Sequence, residues 1–190
     1  HDVSLQALPH LRLDWRELKA EYRRKGKPVA DIGSCWSTVP VEGILRGIQI
    51  IPVDILYGER LQSYEASVIQ RMQVLAPYHE GRLPLPCGFE YESSAAATAS
   101  ALRAAAAQAR ASALCCDCAD MRDHDGNRIG DRYFSVVVAH DSVPKHSNDV
   151  GDFLNRELPE LLRVADSRLC VYPLEHYKVT GFNTAREELR

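Results

Sequence analysis

Four groups of residues in this chain combine chemically useful side chains with positions at the ends of apolar runs. Asp31 closes the short run 29–31 and is followed by Ile32, Gly33, Ser34 and Cys35; Asp54 ends the run 48–53, with Ile55 next to it. Asp117 and Cys118 follow the run 113–116, and the run 133–139 leads into His140 and Asp141, with His146 close behind. Polar groups at the carboxyl ends of parallel strands face the crevice where open α/β sheets bind ligands. A glycine there lets backbone approach a ligand, an acid accepts hydrogen bonds from a ribose, and a histidine titrates near neutrality and can take a proton. His140 is thus the first choice of general base, with Asp141 to orient it or bind substrate and His146 in reserve. The plainer alternative is that His140 caps the strand and touches only ligand backbone. Cys35 as a covalent nucleophile has no base fixed beside it by sequence.

The elements that must position these residues can be read in chain order. Leu11, Trp15, Leu18 and Tyr22 recur at helical spacing, which predicts an amphipathic helix over 11–25 stopped by Gly26, with three basic residues in its last turn. A helix packed on the sheet accounts for those residues better than a nucleic-acid contact does. After the strand at 29–32, Val39, Val41, Ile44 and Leu45 predict a helix closed by Gly47, and 48–53 is a second strand. Strand, glycine turn, helix, strand and terminal acid is the order of a nucleotide-binding βαβ unit. Residues 56–92, broken by Pro77, Gly81, Pro84, Pro86 and Gly88, read as an insertion over a substrate site, with Arg71, Tyr78, His79 and Phe89 as candidate contacts. The alanine-rich stretch 93–112 predicts a closely packed helix, and 113–116 a short third strand. Residues 133–139, apolar almost throughout, predict a strand buried on both faces; Asp149 caps a helix over 150–164, and 168–173 is a fifth strand. The first nine residues read as an arm.

Taken together, these motifs resemble the class I S-adenosylmethionine-dependent methyltransferases over about four-fifths of the chain. Asp31-Ile32-Gly33-Ser34-Cys35-Trp36-Ser37 stands where that family carries acid-x-G-x-G-x-G, with Cys35 and Ser37 replacing two glycines. Asp54 stands at the ribose-binding acid, Asp117-Cys118-Ala119-Asp120-Met121 at the adenine-binding run, and Glu160-Leu161-Leu162-Arg163-Val164 at the family's E-x-x-R-V. Phe134-Ser135 replaces Phe-Asp in the fourth strand. The resemblance implies a single domain over 1–190: a doubly wound, mostly parallel sheet flanked by helices, Rossmann-like. It implies S-adenosylmethionine as cofactor, held by Asp31, Gly33, Ser34, Cys35, Asp54, Ile55, Asp117, Cys118 and His140, and methyl transfer to a small-molecule or natural-product acceptor. The family's final helix and antiparallel strand pair find no room in 174–190. Either the sheet is short by two strands or they lie outside this sequence, and the incomplete sheet would leave an edge for a second copy or a partner chain.

Composition narrows the alternatives. A net charge of −3 with acids and bases interspersed gives no broad attraction to nucleic acid or an anionic membrane. No apolar run is long enough to span a bilayer, and no signal-peptide pattern opens the chain. The six cysteines read as reduced thiols of a cytoplasmic protein. Cys115, Cys116 and Cys118, with His124 beyond, lack paired zinc spacing, so buried strand cysteines are the expectation and no metal is assigned. Two other functions stay open: a degenerate methyltransferase-like binding module or non-catalytic subunit, suggested by the replaced glycines, and, behind it, a nicotinamide dehydrogenase, which lacks its G-x-G-x-x-G.

Overall fold

Alternation along runs of four to eight residues decides how this chain layers. The computed structural model describes residues 3–7, 14–79, 99–140, 142–143, 147 and 149–172. The strands are β1 (Ser4–Ala7), β2 (Val29–Ile32), β3 (Ile50–Val53), β4 (Phe134–His140) and β5 (Ala165–Tyr172). They form one sheet in the order β1-β5-β4-β2-β3, parallel at every pairing. Successive side chains on a strand point to opposite faces. On one face Ala30, Ile32, Ile51, Val53, Val137, Ala139, Leu169 and Val171 form a buried cluster. Leu158, Leu161 and Val164 of α7 (Leu158–Val164), and Met121 and Ile129 from the 117–132 connection, cover it. On the other face Val29, Ile50, Val136, Val138 and Cys170 meet Trp15 and Leu18 of α1 (Trp15–Lys25). A third cluster joins Val41 of α2 (Val39–Leu45), Tyr57 of α3 (Tyr57–Arg60), Tyr64 and Val68 of α4 (Tyr64–His79) and Ala105, Ala106 and Ala109 of α5 (Ala99–Ser112). The alanine face of α5 has no side chain longer than a methyl group at those positions, which lets it sit close to its neighbours.

Helix ends follow their capping residues. The Asp14 carboxylate accepts from the backbone N–H of Arg16 at 3.0 Å and of Glu17 at 3.1 Å, and Gly26, at φ 64°, turns the chain out of α1. Asp14→Ala is expected to lower stability by about 1 kcal/mol, seen as a lower urea midpoint at unchanged slope.

Several expectations are corrected by this architecture. Residues 4–7, read as an arm, form β1 and pair with β5 from Ser4–Arg168 to Ala7–Val171. The edge expected to lie open after the fifth strand is therefore taken by the chain's own first residues. The third strand is reduced to one parallel bridge, Val53 to Leu114. The first half of the expected insertion is core, since Tyr57, Tyr64 and Val68 are buried; residues 80–98, with Phe89, lie outside the described residues. The helix expected over 11–25 is described from Trp15. The helix over 150–164 begins as α6 (Val150–Asp152) and passes through a π turn, Phe153–Glu157, before α7. Pro159 explains that turn: it has no N–H to donate one turn back, and its ring crowds the preceding carbonyls. β5 starts at once after α7, where a turn over 165–167 is expected, because Asp166 is fixed at its first residues. Its carboxylate meets Lys25 and Lys27 Nζ at 3.1 Å each and Arg132 Nε at 2.8 Å. This ties together the lower ends of β2, β4 and β5, and against burial those hydrogen bonds hold Asp166 at a pKa of about 2.

The chain runs from β2 through α2 to β3 on one side, then returns across to β4 on the other. Strand order thus reverses between β2 and β4, and their carboxyl ends flank the crevice such sheets use for ligands.

Candidate functional site

The turn after β2 is built from Gly33 to Thr38, and the amides of Ser34, Cys35 and Ser37 are committed to the protein itself. Gly33 has φ 65°, and Ser34 N–H donates to the Val53 carbonyl at 3.1 Å. Cys35 also lies in the left-handed region, at φ 41°, and its N–H donates to Asp54 Oδ2 at 2.9 Å. Its carbonyl accepts from the Tyr57 hydroxyl at 2.8 Å. Ser37 N–H closes onto the Ser34 carbonyl, and Val39 N–H reaches Ser37 Oγ at 3.2 Å. A side chain at Cys35 is tolerated here because both its amide and its carbonyl are held, which offsets the roughly 1–2 kcal/mol a left-handed residue costs.

Asp54, expected as the ribose acid, is oriented from both sides. Oδ2 takes the Cys35 N–H, and Oδ1 takes the Leu56 N–H at 2.8 Å. Each carboxylate oxygen has two lone pairs, so one on each remains for a diol. Ile55 beside it is 63 % exposed, the most exposed large apolar side chain among the described residues. Cys115 donates its S–H to the Ile55 carbonyl at 3.5 Å, bringing the end of the reduced third strand to the same rim.

Asp31 points beneath the turn instead of into the crevice. It is 1 % exposed, and it accepts from Ser34 Oγ at 2.8 Å and from the Ser37 hydroxyl. Burial raises its pKa to about 6 against those two hydrogen bonds, and the neighbouring Asp54 raises it further. Tyr64, fully buried, faces the same carboxylate, and its hydroxyl has no partner among the described residues. Burial pushes the Tyr57 and Tyr64 hydroxyls well above their usual range, so both are neutral. Arg60 lies 5.4 Å from the Trp36 ring centre, and Arg71 Nη1 donates to the Trp36 carbonyl at 3.0 Å, so Arg71 fastens the turn.

On the other side of the crevice, Ser142 packs against Gly33: a Cβ built at Gly33 would come 2.2 Å from Ser142 Cβ. The Ser142 hydroxyl is buried without a partner among the described residues. His140 pairs with Tyr172 through the sheet, placing it at the carboxyl end of β4 as expected. Asp141 and His146 lie outside the described residues. Asp117 Oδ1 accepts from Ala119 N–H at 2.9 Å, and its side chain remains 45 % exposed. Burial and the nearby Glu157 raise the Cys118 thiol far from ionisation. Glu157, carried inward by the π turn, accepts from Ser147, and burial raises its pKa too.

The structure thus brings Asp31, Gly33, Ser34, Cys35, Asp54 and Ile55 to one place, while Asp117 and Cys118 stand beside Arg156 and Glu157. Sequence reasoning passes over Ser37, Tyr57, Tyr64, Ser142 and Glu157. Tyr57 and Tyr64, seven apart and hence on one helical face, are the one signal that was available. Sharing Cys115 with the rim beside Ile55, a cavity of about 620 Å³ opens between α4, α5 and the Asp123–His124 turn, with the Glu65–Arg110 ion pair (3.0 Å) among its lining residues. Among the described residues no three His, Cys, Asp or Glu side chains are grouped to hold a metal ion, and no helix is long and apolar enough to cross a membrane.

No protein-family model, curated protein or solved structure matches the chain. Fold and site together define an α/β protein with an all-parallel sheet flanked by helices, compatible with a Rossmann-like fold.

Proposed function

We propose that this chain binds S-adenosylmethionine in the crevice above β2, β3 and β4 and transfers its methyl group to a small-molecule acceptor. The observation that carries the reading is Asp54: a carboxylate fixed by two backbone amides, beside an exposed Ile55. A preorganised acceptor next to an apolar face suits a ribose diol followed by an adenine ring. The committed amides of Ser34, Cys35 and Ser37 fit as well. A nicotinamide dinucleotide needs free N–H groups for its pyrophosphate, whereas this cofactor carries no phosphate.

When bound, the cofactor supplies an electrophilic methyl carbon on a sulfonium. Asp54 would accept from both ribose hydroxyls, Ile55 would cover the adenine, and Asp117 would accept from its amino group. Gly33, Ser34 and Cys35 would line the methionyl end, and Cys118 the adenine edge. His140, at the end of β4, would take the proton released by the acceptor, with Asp141 and His146 as supporting groups. Alignment for in-line displacement is the main contribution asked of the protein.

The second reading, a methyltransferase-like binding module without turnover, draws on Cys35 and on Ser142, which crowds Gly33. Turnover of any acceptor by the purified protein would exclude it. The cofactor itself is tested by calorimetric titration with S-adenosylmethionine and S-adenosylhomocysteine. Wild type should bind both, and Asp54→Ala should weaken binding by about 10–100-fold, as expected for losing charge-assisted hydrogen bonds. A folded wild type that binds neither would overturn the reading.

A further inference from the structure

Asp31 is the one acid of the site with no route to the ligand. Its carboxylate lies under the turn, bonded to Ser34 and Ser37 of that turn. The charged or titratable groups acting on it are Asp54 from the end of β3, Tyr57 from α3 and Tyr64 from α4, with no cation among the described residues. A buried carboxylate without a counter-charge is costly when ionised, and the cost is relieved if water reaches it. Lifting Ser34 and Ser37 would let water reach Asp31, and Cys35 between them carries the amide that orients Asp54.

We propose that Asp31 is a proton-operated latch on the Gly33–Ser37 turn: protonated, it holds the turn down; ionised, it favours lifting of the turn, which releases the Cys35 amide from Asp54. The latch rests on the cofactor reading only for what Asp54 binds.

The sign follows from linkage. In the closed state the pKa is about 6, and in a hydrated, open state it returns toward 3.8. The closed state therefore binds the proton more tightly, and raising pH through that interval favours opening. For full hydration the opening equilibrium should rise about tenfold between pH 5 and pH 8, most of it below about pH 6.

The test is hydrogen exchange of the peptide covering Gly33–Ser37, corrected for intrinsic rates, on the full chain from pH 5 to pH 8. The buried face of α5 serves as reference for global opening. Expected is a roughly tenfold loss of protection in the turn that levels off above pH 6, with α5 unchanged. In Asp31→Asn the turn should be pH-independent and more protected at pH 8 than wild type. A flat wild-type profile, or loss of protection in α5 in parallel, would overturn the latch; the wild-type profile decides even if the variant does not fold. Titration with S-adenosylhomocysteine at pH 5 and pH 8 separates the two ideas. A pH-gated turn without binding retains the latch and removes the cofactor reading. Binding to a turn that does not respond to pH does the reverse.

Discussion

Asp31→Asn is expected to stabilise the folded protein at pH 7.5 by about 3 kcal/mol. That figure is the interval between the folded pKa of about 6 and the unfolded 3.8, at 1.36 kcal/mol for each pH unit. In a domain of this size it corresponds to a rise in Tm of roughly 6–12 °C. The folded state holds the Asp31 proton more tightly than the unfolded chain, so its stability falls as pH rises from 3.8 to about 6 and stays lower above. The amide removes that titration while still accepting from Ser34. Melting curves of both proteins should diverge through this interval and meet near pH 4. A variant less stable than wild type at pH 7.5 would show instead that the ionised carboxylate stabilises the turn.

Gly33→Ala should have an effect of similar size in the opposite direction. Its methyl group would stand 2.2 Å from Ser142 Cβ, and the backbone there has φ 65°, so steric overlap adds to left-handed strain. The expected loss is about 2–4 kcal/mol, from overpacking and the conformational penalty together. Gly26→Ala is the control: its φ is 64°, but nothing lies within 4 Å of the added carbon, so only about 1–2 kcal/mol should be lost. Denaturant midpoints give both values, and equal losses at the two glycines would mean that Ser142 yields at no cost.

Much of this was legible because it is local. The runs around Val29, Ile50 and Val136 alternate between two buried faces, and Gly33 and Asp54 mark where strands end. Gly26 and Gly47 announce helix ends by lacking a side chain, whereas Asp14, the cap of α1, lies inside the helix expected over 11–25. What escaped is set by partners distant in sequence. Ser4–Ala7 is a strand only because β5 offers it an edge, and four residues without strong alternation carry no sign of that. Residues 113–116 have strand composition, yet Leu114 alone bridges to Val53 before the chain turns off the sheet edge. The direction of Asp31 was also beyond the sequence: the spacing places it at the crevice, while the tyrosines that enclose it come from α3 and α4. Cys35 replaces a glycine of the family pattern, and that replacement gives no sign that its amide orients Asp54.

Binding of a phosphate-free adenine nucleoside at the rim around Asp54 is most directly tested by amide NMR of the labelled protein titrated with S-adenosylhomocysteine. Shifts are expected at Cys35, Ile55, Leu56 and Asp117, with β1 and the Asp14 end of α1 unmoved. No shifts at saturating ligand, or shifts confined to the cavity beside Arg110 and His124, would contradict it.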